Sequence, residues 1–206
     1  MSNSKESVWV VGLTGASGLR YGIRLLDVLP TLVREVHVVF SESALRVLHD
    51  EEGISLSASN LSYQSLFSRP GENVHFYNPR DIGARIASGS MRANGMVVVP
   101  CSMSTLGAIA HGVPSNLVHR AADVTLKEGR QLIVVPRESP LSSIHLENML
   151  TLSRNGVKIV PAMPGFYNKP QSVSELVDQF VMRILDSMGI ENSLGKRWRE
   201  PTSHDS

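Results

Sequence analysis

The chain has 206 residues, a formal net charge of +1, 42% hydrophobic residues and only 5% aromatics. That length suits one domain with a core of its own, and the near-neutral balance gives no electrostatic reason to expect nucleic acid or a membrane surface as a partner. A single cysteine, Cys101, excludes an internal disulfide and any Cys-x-x-Cys zinc or redox motif.

No signal-peptide pattern precedes Ser7, and no apolar run approaches the ~18 residues of a spanning helix, so a cytoplasmic location is expected. Val8 to Leu13 is an apolar, largely β-branched run that predicts a strand. It passes into Gly12-Leu-Thr-Gly15-Ala-Ser-Gly18, and from Tyr21 the spacing of Ile23, Leu26 and Leu29 becomes helical. A turn that opens a helix presents free N–H groups at the positive end of the helix dipole, a setting for phosphate. Gly15 and Gly18 permit close approach there, and Ser17 adds a hydroxyl. The spacing departs from G-x-G-x-x-G, and the same glycines also suit a plain tight turn.

Glu35 to Phe40 reads as a second strand delivering Ser41 at its carboxyl end, where dinucleotide folds place an acid for the ribose hydroxyls. With Ser41 there and Glu42 only adjacent, a mononucleotide is favoured. A short helix is expected over 43–50, and a mobile surface loop over the Ser-, Asn-, Gly- and Pro-rich stretch 53–73. Val74 to Tyr77 suits a short strand. The small, polar segments Asn78 to Ile82 and Ala87 to Ser90 suit a site rim or an ordinary loop.

Met96 to Pro100 has the continuous apolar character of a parallel strand covered on both faces. It delivers Ser102, Ser104 and Thr105 to the start of a helix, where they serve as caps, as ligand donors, or as both. Cys101 reads as a small buried residue. Pro114 to Glu128 is helical in pattern and carries Arg120 and Lys127 about two turns apart, placed for one anion or for a solvated face. Gln131 to Pro136 is a further buried strand ending in Arg137-Glu138, where open α/β sheets bind ligands. A helix over 142–154, a strand over 157–161 and a Pro/Gly-rich loop with Tyr167 follow. Ser172 then caps a last helix to about Met188, with Glu175 in the capping-box position and Arg183 interrupting its apolar stripe. Residues from about 190 to 206, with Trp198, read as a tail held by tertiary or subunit contacts. The seven histidines include no H-x-x-x-H pair, and no G-x-S-x-G elbow occurs, so no metal site or serine hydrolase is read and the chemistry points to a bound cofactor.

Gly15-Ala-Ser-Gly18, Pro100-Cys-Ser102, Arg120-Ala-Ala-Asp-Val-Thr-Leu-Lys127, Pro136-Arg-Glu138, His145-Leu-Glu-Asn-Met149, Pro164-Gly-Phe-Tyr167 and Pro170-Gln-Ser172 occur in this order. Together they closely resemble the UbiX/Pad1 family of flavin prenyltransferases, over about Ser7 to Trp198. The resemblance implies a single α/β domain over 1–206, a Rossmann-like or flavodoxin-like three-layer sandwich with a mostly parallel sheet, and a dodecamer built of trimers. It also implies reduced FMN and dimethylallyl monophosphate as substrates, joined at flavin N5 and C6 to make the prenylated FMN used by UbiD-type decarboxylases. Flavin contacts implied are Gly15, Ala16, Ser17, Ser41, Ser102, Met103, Ser104, Thr105 and Arg137, with Asn78 and Arg80 as alternatives near N5. Tyr167 and Arg183 are implied for the prenyl phosphate, with Arg120, Lys127 and Glu138 beside it, and catalytic roles fall to Ser17, Arg120, Lys127 and Glu138, the last as proton relay. Fixed cations stabilising the departing phosphate without a metal make chemical sense of that set. A flavin-dependent cysteine decarboxylase relative and a non-catalytic FMN carrier are the other readings.

Overall fold

The computed structural model describes residues 4–195 and residue 197. Of the tail expected over about 190–206, Trp198 and residues 199–206 lie outside the described residues, whereas Ile190 is buried and Arg197 pairs with Asp186 at 2.8 Å. Six strands, β1 (Val8–Leu13), β2 (Glu35–Phe40), β3 (Val74–Tyr77), β4 (Gly95–Cys101), β5 (Gln131–Pro136) and β6 (Lys158–Ile159), form one sheet in the order β3-β2-β1-β4-β5-β6. Every pairing is parallel. β1 and β4 are buried along their whole length because strands flank them and helices cover both faces.

The helices are α1 (Leu19–Val28), α2 (Glu42–Glu52), α3 (Tyr63–Phe67), α4 (Met103–Ala110), α5 (Leu117–Lys127), α6 (Ser143–Arg154) and α7 (Val173–Met188). Trp9, Val11, Leu13, Val36, Val38 and Phe40 point to one face of the sheet and pack with α1, α2 and α7. Val8, Val10, Val39, Met96 and Val98 point to the other and pack with α4, α5 and α6. This is the three-layer sandwich expected, with period-two alternation sorting the side chains between layers. α1 lies against the sheet through Gly22, where a Cβ would stand 2.5 Å from the Val99 carbonyl oxygen and 2.6 Å from Leu13.

Four expectations need correction. α2 runs past Asp50 to Glu52, closed by Gly53 at φ 69°, so its last turn carries two more carboxylates than the apolar spacing suggests. The 53–73 stretch is not all loop: Ser62 and Ser65 make a reciprocal capping box for α3 and bury Tyr63 against Phe67. β6 is shorter than the 157–161 expected, although the Val160 and Ala162 N–H groups still bond the Val134 and Pro136 carbonyls at 2.9 and 3.0 Å. At α7, Ser172 caps as expected, but the Glu175 carboxylate accepts from the Gln171 N–H rather than from the cap residue.

The strand order reverses between β1 and β4. Crevices outside the carboxyl ends of strands at such a point are where open α/β sheets take ligands, and there Ser17, Ser41, Ser102 and Arg137 emerge. No helix among the described residues is long and apolar enough to cross a membrane.

Candidate functional site

Thr14 ties the two turns at the switch point together. Its hydroxyl donates to the Pro100 carbonyl at 2.8 Å and accepts from the Ser102 N–H at 2.8 Å, 88 residues away in sequence. Gly15 lies so close to Ser43 that a Cβ there would meet the Ser43 Cβ and Oγ at 2.5 Å. Ser41 caps α2, accepting from the Ala44 N–H, and its hydroxyl lies 3.0 Å from that of Ser43. Ser41 and Ser43 join Glu42, Pro79, Arg80, Ile82, Ser115 and Asn116 around a cavity of about 600 Å³.

One expectation at this turn is overturned. The Gly18 and Leu19 N–H groups at the start of α1 do not face a vacant phosphate position, because the Glu51 carboxylate accepts from them at 3.0 and 3.2 Å. A carboxylate satisfies the positive helix end as a phosphate does. Sequence spacing gave no sign of Glu51, since α2 was expected to stop at Asp50. Gly15 and Ser17, by contrast, keep their N–H groups out of the hydrogen bonds among the described residues. Arg80 lines the cavity and donates to Glu42 at 2.5 Å, whereas the Asn78 side chain is turned to the Arg80 N–H at 3.0 Å.

The hydroxyls of Ser102, Ser104 and Thr105 do cluster at the start of α4. Ser102 caps the helix, accepting from the Thr105 N–H, and its oxygen lies 3.1 Å from Ser104 Oγ and 3.2 Å from Thr105 Oγ1. Sequence reasoning missed a further member, His119, buried in the first turn of α5 with Nε2 3.3 Å from Thr105 Oγ1. A lone histidine in a helical stripe carries no sequence signal for such a role. Burial lowers its pKa from the ordinary imidazole value, so it is neutral at neutral pH. Cys101 is wholly buried, and burial raises its thiol pKa far above the ordinary value, as suits a packing residue. Arg137 and Glu138 are exposed just beyond β5, with the Glu138 carboxylate accepting from the Ser139 N–H at 3.0 Å.

The five residues expected to clamp a phosphate are not gathered in one chain. α5 begins beside β3, with the Leu117 N–H on the Pro79 carbonyl, and runs to the amino end of β5. Arg120, near its start, pairs with Asp123 at 2.8 Å, while Lys127, at its far end, pairs with Glu128 at 2.5 Å beside Gly89. Seven residues of helix separate the two by about 10 Å. Tyr167 and Arg183 share a different cavity, about 510 Å³, on the α7 layer with Val160, Met163 and Phe180. Around it Met163, Phe166 and Val173 are more than half exposed.

The Flavoprotein family model matches residues 1–185. The chain is 47% identical over 201 residues to flavin prenyltransferase UbiX of Alkalihalophilus pseudofirmus, covering 97% of this chain and 100% of that one. Among solved structures it resembles a dodecameric FMN-dependent UbiX-like decarboxylase from Escherichia coli O157:H7, with TM-score 0.82, 45% identity, and coverage of 94% of this chain and 100% of that one. It also resembles AnUbiX in complex with FMN and dimethylallyl pyrophosphate, with TM-score 0.84, 40% identity, and coverage of 96% and 100%.

Proposed function

Because the chain belongs to the Flavoprotein family and, within it, to the UbiX flavin prenyltransferases, we propose that it moves the dimethylallyl group of dimethylallyl monophosphate onto N5 and C6 of reduced FMN. The product, prenylated FMN, would serve a UbiD-type decarboxylase in the cytoplasm. The observation that carries this reading is the 47% identity to a UbiX along 97% of the chain.

A cavity at the carboxyl end of β2, beside the switch point, has room for FMN. Its volume lies within the usual range of cofactor sites, about 300–1,000 Å³, and its walls offer the hydroxyls of Ser41, Ser43 and Ser115. We assign Gly15, Ala16, Ser17, Ser41, Ser102, Met103, Ser104, Thr105 and Arg137 to the flavin, and favour Arg80 over Asn78 beside them because Arg80 faces the cavity. Bound there in reduced form, the flavin supplies an electron-rich nucleophile, which relieves the protein of providing one.

The chain's own residues act on the phosphate. Breaking the allylic C–O bond moves negative charge onto the departing phosphate, and fixed donors aimed at it lower the barrier without reorganising. We assign that task to Arg120, Lys127, Tyr167 and Arg183, and assign Glu138 to carry a proton. Since one chain holds these donors in three places, the complete clamp is built where copies meet, and a dodecamer like that of the Escherichia coli neighbour supplies such contacts.

Anaerobic incubation with reduced FMN and dimethylallyl phosphate, followed by mass spectrometry of the flavin, tests the reading. One added dimethylallyl group is expected. A flavin that binds and returns unchanged would make the protein a carrier, and carbon dioxide released from a C-terminal cysteine peptide would make it a decarboxylase.

A further inference from the structure

We propose that Arg130 is a positioning residue of the phosphate clamp, which pins the Ser88–Met91 turn against the end of α5 and so fixes where Lys127 presents its ammonium group. The proposal rests on the reading of Lys127 as a phosphate donor and concerns a residue that reading leaves unused.

The backbone of Arg130 is set by the way α5 ends. Its N–H bonds the Thr125 carbonyl at 2.9 Å, and the Gly129 N–H bonds the Leu126 carbonyl at 2.9 Å with Gly129 at φ 64°. This paired pattern closes a helix through a left-handed residue. From that fixed point the half-buried guanidinium reaches back to a turn some 40 residues earlier. One terminal nitrogen donates to the Met91 carbonyl at 2.5 Å and the other to the Gly89 carbonyl at 2.7 Å. A planar fork holds two carbonyls in a fixed relation, whereas a flexible ammonium does not.

The turn held in this way meets α5 closely. The Met91 N–H closes it on the Ser88 carbonyl at 3.2 Å, and the Ser88 and Ser90 hydroxyls lie 2.8 Å apart. Gly89 stands where a Cβ would come within 2.2 Å of Glu128 Oε1 and 3.1 Å of Lys127 Nζ. Glycine therefore lets the Lys127–Glu128 ion pair, 2.5 Å long, lie directly on the turn. Lys127 holds the Glu128 carboxyl below its ordinary range, with Arg130 contributing more weakly, so the pair is charged at neutral pH. The Lys127 side chain is 49% exposed, and an ammonium on a flexible stem is placed by what it leans against. Here the supports are Glu128 and Gly89, and Arg130 holds Gly89. Without its two bonds the turn is free to move off the end of α5, and Lys127 loses a wall of its seat.

The test is calorimetric titration of the full-length, FMN-loaded protein with dimethylallyl monophosphate, the flavin kept oxidised so that no transfer occurs. The variants are Arg130→Met, Arg130→Lys, Lys127→Ala and the double variant Arg130→Met/Lys127→Ala, each also measured for FMN affinity and melting temperature. Arg130→Met removes both bonds, and we expect prenyl phosphate to bind about tenfold more weakly with FMN affinity unchanged. Arg130→Lys keeps the charge without the fork and should bind nearly as weakly. Because Arg130 acts through Lys127, the double variant should match Lys127→Ala to within about twofold. Further weakening in the double variant would make the two residues independent and overturn the proposal. Parent-like binding by Arg130→Lys would place the effect in charge alone and overturn it as well. Loss of FMN affinity and melting temperature in step with prenyl phosphate affinity would reduce Arg130 to a residue that holds the fold. Parent-like binding by Arg130→Met, with weakened binding by Lys127→Ala, overturns the role of Arg130 alone. Parent-like binding by Lys127→Ala removes the phosphate from Lys127 and overturns the reading on which the proposal rests.

Discussion

Gly15 shows how far a single hydrogen atom can decide a site. Its missing side chain lets the first turn lie on Ser43, where a Cβ would come within 2.5 Å of both side-chain atoms. Gly15→Ala should therefore push the turn off Ser43 and weaken FMN binding at least tenfold, and Ser43→Gly in the same chain should restore most of it. Flavin titration of the parent and both variants checks this, and a double variant no better than Gly15→Ala alone would place the constraint elsewhere. A second prediction separates binding from turnover. Glu138→Gln keeps its size but cannot shuttle a proton, so it should bind prenyl phosphate normally and slow anaerobic single-turnover product formation. Lys127→Ala and Arg183→Ala each remove a charge-assisted contact of about 1.5–3 kcal/mol, or roughly tenfold to hundredfold in affinity. Unchanged affinity in both would move the phosphate away from them.

Among the elements, β2 carries an acid-sensitive group within its buried stretch. His37 has no exposed side-chain surface, with Nδ1 2.9 Å from the Tyr77 hydroxyl and Nε2 3.2 Å from the Glu35 carboxylate. Burial, reinforced by the stacked ring of His75 and more weakly opposed by Glu35, lowers its pKa to about 4. The unfolded chain takes up this proton near the ordinary value of about 6.5. Between those two values the unfolded state binds more protons, so stability is full above about pH 6.5 and falls as the pH drops toward 4, by up to about 3 kcal/mol. Urea unfolding at pH 7.5 and pH 5 should show this loss in the parent and a smaller one in His37→Gln. Equal losses in the two proteins would mean that other groups govern the acid response.

At the scale of the whole molecule, the phosphate donors stand apart while Met163, Phe166 and Val173 expose apolar surface around the cavity of Tyr167 and Arg183. Exposed apolar patches beside an incomplete site fit burial against another copy. Phe166→Asp, at a residue 70% exposed, should leave each chain folded, shift sedimentation toward smaller species and lower turnover. It should spare FMN affinity, because the flavin crevice lies on another part of the fold. Full assembly of Phe166→Asp at micromolar concentration would remove this loop from the interface.

What the sequence determined by itself is local. The bounds of β1, β2 and β3, the capping serines of α4 and α7, and the hydroxyl cluster after β4 all follow from periodicity and side-chain chemistry within a few residues. The ordered motifs carried the family for the same reason, since each is a short run whose residues sit together whatever the rest of the chain does. The tertiary structure decided what depends on strand order and helix direction. It brought Glu51 across 33 residues to the start of α1, set His119 against Thr105, and carried Lys127 to the opposite end of α5 from the crevice. No periodicity reports such pairings, because the side chains that meet belong to elements joined only through the sheet.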